Sequence, residues 1–317
     1  KHIQEGRSAI LMLDPFQRMN EANAQLELGL SGEGEINSIT DLLKFYGIDF
    51  SHNGVVGDFE NAANVETGTG RNFAYPYWLR LRQKNMTKDE PVVANLNELL
   101  FAETGVFAME ARAGFLKPVV FTGQQISMET RAVFDEKSTE ELSLDFESRL
   151  QPPKIIVGRV SQNLPSPFLG INGGNTKTPA SLMLVGDTDW LYDGFSRAGI
   201  GSTAATLSRP INDNNNLFLN LVEFSAGSDD LLEIRSRKSP VRVFSKVEEM
   251  LFNSREKYHS KEVEFASSIN AAEENIRQFL KLSNVETEND LPDSVKLEVL
   301  KIREMIYPLK DELRKIR

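Results

Sequence analysis

Four short apolar runs, each closed by turn-forming residues, punctuate the chain: Ala9 to Leu13, Pro118 to Thr122, Ile155 to Val160 and Ser181 to Val185. Each is too short for a stable helix and almost unbroken in its apolarity, the pattern of a strand buried on both faces. Such strands predict a mostly parallel sheet covered by helices. Helical stripes fall between and beside them. Ile39, Leu42, Leu43 and Tyr46 form one; Leu217, Phe218, Leu221, Val222, Phe224 and Ala226 form another, opened by Asn216 and closed by Gly227. The alternation argues an α/β class. Gly54 to Arg71 and Ser161 to Pro179 are rich in Gly, Asn, Pro and Thr and read as long loops.

From Ser245 the pattern changes to charged helix. Ile269, Ala272, Ile276 and Phe279 step by three and four; after a break at Leu282 to Pro292, the same spacing returns at Val295, Val299, Ile302, Ile306, Leu309, Leu313 and Ile316. Sustained spacing of this kind predicts a helical hairpin or coiled-coil stalk. Two domains follow: residues 1–243, the α/β body, and residues 244–317, the hairpin. Pro308 removes one backbone donor from the second helix, at about 3 kcal/mol. The hairpin either packs on its own domain or forms a stalk or dimer seam. In the second case Lys310, Arg314, Lys315 and Arg317 suit lipid phosphates or a membrane subunit.

Composition narrows the role. The formal charge is −10 over 317 residues, and Lys and Arg do not cluster outside the C-terminal tail, which argues against a nucleic-acid groove. There is no Cys, so disulfides, thiolate nucleophiles and Cys-based zinc sites are excluded. No apolar run approaches the ~20 residues of a membrane span. The first residues lack an initiator Met and the order of a signal peptide, so the sequence reads as a piece of a longer protein.

Candidate chemistry gathers where strands end. Ser181 to Val185 runs into Gly186, Asp187, Thr188, Asp189 and Trp190, and Ala9 to Leu13 runs into Asp14 and Pro15. The carboxyl edge of a sheet is where α/β proteins meet ligands, and two carboxylates brought together there would raise a pKa. Asp187, Asp189 and Asp193 offer oxygen ligands to Ca²⁺ or Mg²⁺ but lack the Gly and final Glu of an EF-hand loop; the plainer reading of Asp187 is a cap on backbone N–H groups. Tyr75, Tyr77, Trp78 and Trp190, with Phe16, Phe73 and Phe115, either close the core under loops or form a partner patch. The candidate ligand- or partner-binding set is Asp14, Asp187, Asp189, Trp190, Tyr75 and Trp78.

Other motifs carry less. Gly199-Ile200-Gly201-Ser202-Thr203-Ala204 has dinucleotide spacing but lies too far beyond its strand, and reads as a loop. The stretch Gly170 to Thr178 places Lys177 one residue late for a phosphate loop. Only His2, His52 and His259 are available as bases, and Gly194-Phe195-Ser196-Arg197-Ala198-Gly199 misses a nucleophile elbow by one position. No catalytic, cofactor or metal set is assigned.

Five segments in order resemble one family. They are Ala9-Ile10-Leu11-Met12-Leu13-Asp14-Pro15; Asp41-Leu42-Leu43-Lys44-Phe45-Tyr46-Gly47-Ile48; Tyr75-Pro76-Tyr77-Trp78; Gly186-Asp187-Thr188-Asp189, followed by Asn215 to Phe224; and Asp230-Leu231-Leu232-Glu233-Ile234-Arg235-Ser236-Arg237. This succession resembles the GldG-type auxiliary, substrate-binding-like component of ABC transport systems, associated with gliding motility, across roughly residues 8 to 240. The resemblance implies a flavodoxin- or GATase-like α/β domain, extracytoplasmic (periplasmic) and anchored by membrane segments absent from this sequence. It implies a non-enzymatic role without cofactor, ABC permease and ATPase subunits as partners, and a polymer or protein ligand. The alternatives are a nucleotide- or metal-binding enzyme using the sheet edge, and a structural assembly module.

Overall fold

A computed structural model of the chain describes residues 5–19, 33–66, 72–109, 116–162, 164, 180–200, 207–227, scattered positions between 250 and 278, and 293–316. The strands are β1 (Ala9–Met12), β2 (Ile48–Phe50), β3 (Gly54–Asp58), β4 (Ala62–Glu66), β5 (Asn72–Arg82), β6 (Glu98–Ala102), β7 (Phe107–Met109), β8 (Leu116–Phe121), β9 (Gln125–Thr130), β10 (Arg149–Leu150), β11 (Ile155–Gln162), β12 (Ala180–Val185), β13 (Arg197–Ile200) and β14 (Leu207–Pro210). The helices are α1 (Glu33–Phe45), α2 (Arg131–Glu136), α3 (Thr139–Leu144), α4 (Asp193–Ser196), α5 (Asn214–Ser225) and α6 (Asp293–Ile316). Two compact units divide the chain. One comprises Lys1–Ala63, Ala74–Thr139 and Phe146–Arg242; the other comprises Asn64–Phe73, Glu140–Asp145 and Val243–Arg317.

In the first unit the largest described sheet has the order β1-β12-β11-β7-β2, with β8 also on β11. Its four predicted strands are all present, but the predicted mostly parallel, flavodoxin-like arrangement is not. Only β1 and β12 run parallel among the pairings with a described register; β11 meets β12, β7 and β8 antiparallel, and β2 meets β7 antiparallel. Further antiparallel pairs are β3 with β9, β9 with β10, β5 with β6, and β13 with β14. The reason for the difference lies in what apolarity reports. Along β12, Leu182 and Leu184 join one cluster with Leu13, Leu43, Tyr46 and Phe107, whereas Met183 and Val185 join another with Val157, Leu217 and Leu221. An unbroken apolar run therefore records coverage of both sheet faces, supplied by α1 on one side and α5 on the other. It carries no information on strand direction.

The helices form where their stripes predict. α5 begins at Asn214, two residues before Asn216, and its turn back is made by Gly227 at φ 77°, a left-handed conformation that glycine adopts without steric cost. The loop predicted from Gly54 is corrected. The Gly-rich stretch from Gly54 contains β3 and β4, because its glycines serve close packing: a Cβ on Gly57 would lie 2.4 Å from the Phe146 ring and 2.8 Å from the Tyr77 ring. Tyr75, Tyr77 and Trp78 sit within β5, which runs unbroken through Pro76. The Asp230 to Arg237 segment and the Gly170 to Thr178 stretch lie outside the described residues.

In the second unit, Ile269 and Ile276 share a buried cluster with Val299 and Ile306 of α6, flanked by Ala272, Ile302 and Leu309. The heptad stripe thus faces another helical segment of the same chain. α6 continues through Pro308.

Gly186, which follows β12, is the tightest backbone position at the sheet edge. A Cβ there would lie 2.4 Å from the Gly105 carbonyl oxygen, and Gly105 N–H donates to the Gly186 carbonyl at 2.8 Å. Backbone cannot give way as a side chain can. Gly186→Ala is expected to destabilise the fold by about 3 kcal/mol or more. Gly54→Ala, which meets the flexible end of Met128, is expected to change it by less than about 1 kcal/mol. Urea unfolding of both variants tests the contrast.

Candidate functional site

The parallel pairing of β1 with β12 puts the carboxyl ends of both strands at one edge. Leu13 N–H extends the ladder by donating to Val185 O at 2.9 Å, and both chains then turn. Asp14 and Asp187 follow directly, so their proximity is a product of register.

Each carboxylate is held by backbone donors. Asp187 is fully buried; its Oδ2 accepts from Ala102 N at 2.7 Å and its Oδ1 from Trp190 N at 3.1 Å. This is the capping arrangement its sequence context suggests. Asp14 Oδ2 accepts from Thr188 N at 2.8 Å and Thr188 Oγ1 at 2.7 Å, while Oδ1 accepts from Phe16 N at 2.8 Å. Asp189 Oδ2 accepts from Met19 N at 3.1 Å. Three acidic groups therefore share one edge.

Their electrostatics follow from burial and mutual repulsion. Removal from water raises the Asp187 pKa well above the usual carboxylate value, with Asp14 and then Asp189 adding to the rise. Asp14 is raised mainly by burial, opposed by its bonds to Thr188. Asp189 is pushed up to about 6, first by burial, then by Asp14 and, more weakly, by Glu103.

Glu103 and Arg18 belong to the same region and escaped the sequence reading. The Glu103 side chain is fully buried; Arg18 Nε donates to its Oε2 at 2.7 Å, and Tyr75 Oη donates to its Oε1 at 2.9 Å. Burial, and next the neighbouring carboxylate, hold the Tyr75 phenol above its ordinary range, which keeps it a donor. Glu103 also has φ 50°, a left-handed backbone that a non-glycine residue adopts at a cost of about 1–3 kcal/mol. The signal was present in sequence: Glu103 is a lone acid in the apolar run Leu99 to Val106.

Segment 14–19 thus crosses the edge pinned by Asp14, Glu103 and Asp189. Phe16 packs on Phe134 with ring centroids 5.3 Å apart and lies under the guanidinium groups of Arg18 and Arg131.

The aromatic candidates lie behind this edge. Trp190 and Tyr75 are fully buried, Trp190 stacked on Phe101 at 5.7 Å and Tyr75 edge-on to Tyr77 at 5.6 Å. Trp78 is half-buried against Phe195 at 4.8 Å. Phe73 is half-buried in β5, and Phe115 lies outside the described residues.

The remaining motifs are dispersed. Gly199 pairs with Ser208 in the β13–β14 hairpin, so it forms no strand-to-helix turn, and the loop expected there begins with a strand. Ser196 is buried and donates to Tyr192 O, while His52 is exposed in a turn. His2 and His259 are outside the described residues. Asp193 is exposed, and no group of three or more His, Cys, Asp or Glu among the described residues is placed to hold a metal ion.

Residues 1–221 match the sequence model of a family described as an ABC-type uncharacterized transport system. Comparison with curated proteins found no match.

The acidic edge makes stability depend on pH. A carboxyl whose folded pKa exceeds its unfolded value of about 3.9 binds more protons in the folded state between the two values, so stability falls as pH rises through that window. With Asp189 at about 6, the fold is expected to be more stable near pH 4 than near pH 7 by on the order of 2 kcal/mol from this group. Asp189→Asn should flatten the slope between pH 4 and 6 in chemical denaturation. An unchanged slope would show that Asp189 titrates normally.

Proposed function

Because the chain belongs to the auxiliary family of ABC-type transport systems, we propose that it is a non-enzymatic, extracytoplasmic component of such a system, of the gliding-associated GldG type. Its partners on this reading are the permease and ATPase subunits, with membrane anchorage through segments beyond this sequence. Its domains are the α/β body, residues 1–243, and the helical stalk, residues 244–317. The body receives a protein or polymer ligand, and the stalk passes that state to the permease.

The observation that carries the reading is the construction of the acidic edge. Asp14, Asp187 and Asp189 are held together against repulsion by backbone donors, and segment 14–19 is laid across them by an Arg18–Glu103 ion pair. Each of these carboxylates accepts backbone N–H groups of the protein itself, which suits a shaped docking surface better than acid–base catalysis. The exposed Met19 and the half-buried Asp14 form the contact; Asp189, Asp187, Tyr75 and Trp190 are buried and support it from beneath.

Co-purification of the full-length protein from its native membrane tests the reading. The permease and ATPase are expected to accompany it, and Met19→Glu, which adds charge at an exposed position, is expected to lower their recovery about fivefold or more with no loss of folding. Recovery of the protein alone would overturn the transport role. Recovery undiminished by Met19→Glu would keep that role and move the contact away from this edge.

A further inference from the structure

The heptad stripe of α6 is filled from within the chain, since Val299 and Ile306 are buried in a cluster with Ile269 and Ile276. A second apolar row runs along another side of the same helix. Leu300 and Tyr307 stand seven residues apart, with Leu297 one turn before Leu300, and the three are 59%, 67% and 57% exposed. At about 100° per residue, Leu300 and Tyr307 nearly align, each about 100° around the helix from the buried residue that precedes it. Exposed apolar residues that line up in this way mark an interaction surface.

The charges beside the row indicate what covers it. Arg303 and Lys310 lie along one flank of Leu300 and Tyr307, and Glu304 and Asp311 lie along the other. Both charged rows repeat at seven residues, and all four residues are exposed. Arg303, Lys310 and Asp311 also interact within the chain, but the sign of each row is unchanged. An anionic lipid surface matches poorly, because helices that lie on membranes carry Lys and Arg along the polar face, whereas one flank here is acidic. A second copy of the same helix matches well. When two such helices face each other in the same direction about a two-fold axis, the basic flank of each lies opposite the acidic flank of the other. Reversing one helix sets basic against basic and acidic against acidic.

We propose that the face of α6 bearing Leu297, Leu300 and Tyr307 is a homodimer surface, on which two copies of this chain pair with their α6 helices parallel. Leu300 and Tyr307 meet their own counterparts across the axis. Arg303 and Lys310 of each copy face Glu304 and Asp311 of the other, which fixes direction more than it adds affinity. Three apolar residues per copy make a small interface, so pairing is weak in free solution and strengthens where two copies are held close together. The inference rests on α6 alone and does not require the transport role.

The chain has no cysteine, so single-cysteine variants of the whole chain test both contact and direction. Leu300→Cys alone and Tyr307→Cys alone are each expected to form a disulfide-linked dimer on mild oxidation. Each should do so about tenfold or more faster than Lys301→Cys, which is exposed but turned about 100° from Leu300. An antiparallel pair that set Leu300 against Tyr307 would hold like positions about 10 Å apart, beyond disulfide reach. Linkage confined to a mixture of the two variants would therefore overturn the proposal. Sedimentation equilibrium of the unmodified chain is expected to show a reversible dimer with a Kd on the order of 10–100 μM. Leu300→Glu, at a position already facing water, should weaken it about tenfold or more without loss of folding. The proposal fails if the chain stays monomeric at about 0.5 mM, or if Leu300→Glu leaves the Kd unchanged. It fails equally if a monomeric chain binds phosphatidylglycerol vesicles and Leu300→Glu abolishes that binding, which would assign the face to lipid.

Discussion

Parallel pairing between β1 and β12 is the constraint on which the described body of the protein turns. It joins segments whose edge residues, Asp14 and Thr188, lie 174 positions apart in sequence, and it fixes which side chains leave the sheet together. Alternate residues of β12 feed the two cores, so a slip of one position would exchange them and send Leu182 and Leu184 to the face now packed by α5. The register that satisfies both cores is also the one that brings the carboxylates of Asp14 and Asp187 to the same edge. Core packing and site chemistry are therefore specified by a single choice.

That edge concentrates like charge where water is scarce, which is unfavourable by itself. The structure offsets it locally. Backbone N–H groups from Ala102, Thr188, Trp190, Phe16 and Met19 point at the carboxylates, and Arg18 supplies a cation, bound to Glu103. Because the donors belong to several separate segments, the acids act as junctions between β1, β6 and the turn after β12. In a transport auxiliary, such a junction links the surface of the edge mechanically to the core behind it.

What was legible in the sequence, and what was not, divides along the range of the interactions. Helical stripes at Leu42 and Leu43 and at Leu217 and Leu221, and the apolar strands themselves, are written in local spacing, and they form where expected. Strand direction is a property of partners far away, which is why an α/β pattern unfolded into mostly antiparallel sheets. The glycines near Gly57 misled for a related reason: in isolation they signal turns, but their use here is to admit the Tyr77 and Phe146 rings. Asp14 and Asp187 could be nominated because each ends an apolar run. Arg18 could not, since nothing near it in sequence announces Glu103. The aromatic residues were conspicuous by size, and Tyr75 and Trp190 owe that size to the core they fill.

The long reach of the β1–β12 pairing also bears on how the chain acquires its shape. Ala9–Met12 leaves the ribosome long before Ala180–Val185 exists, so its ladder partners and one wall of each core are missing throughout most of synthesis. Non-local closures of this kind raise contact order and slow folding, and an apolar strand waiting for its mate exposes a free edge. The interval between making one strand and making the other is thus a period in which the nascent protein is open to aggregation.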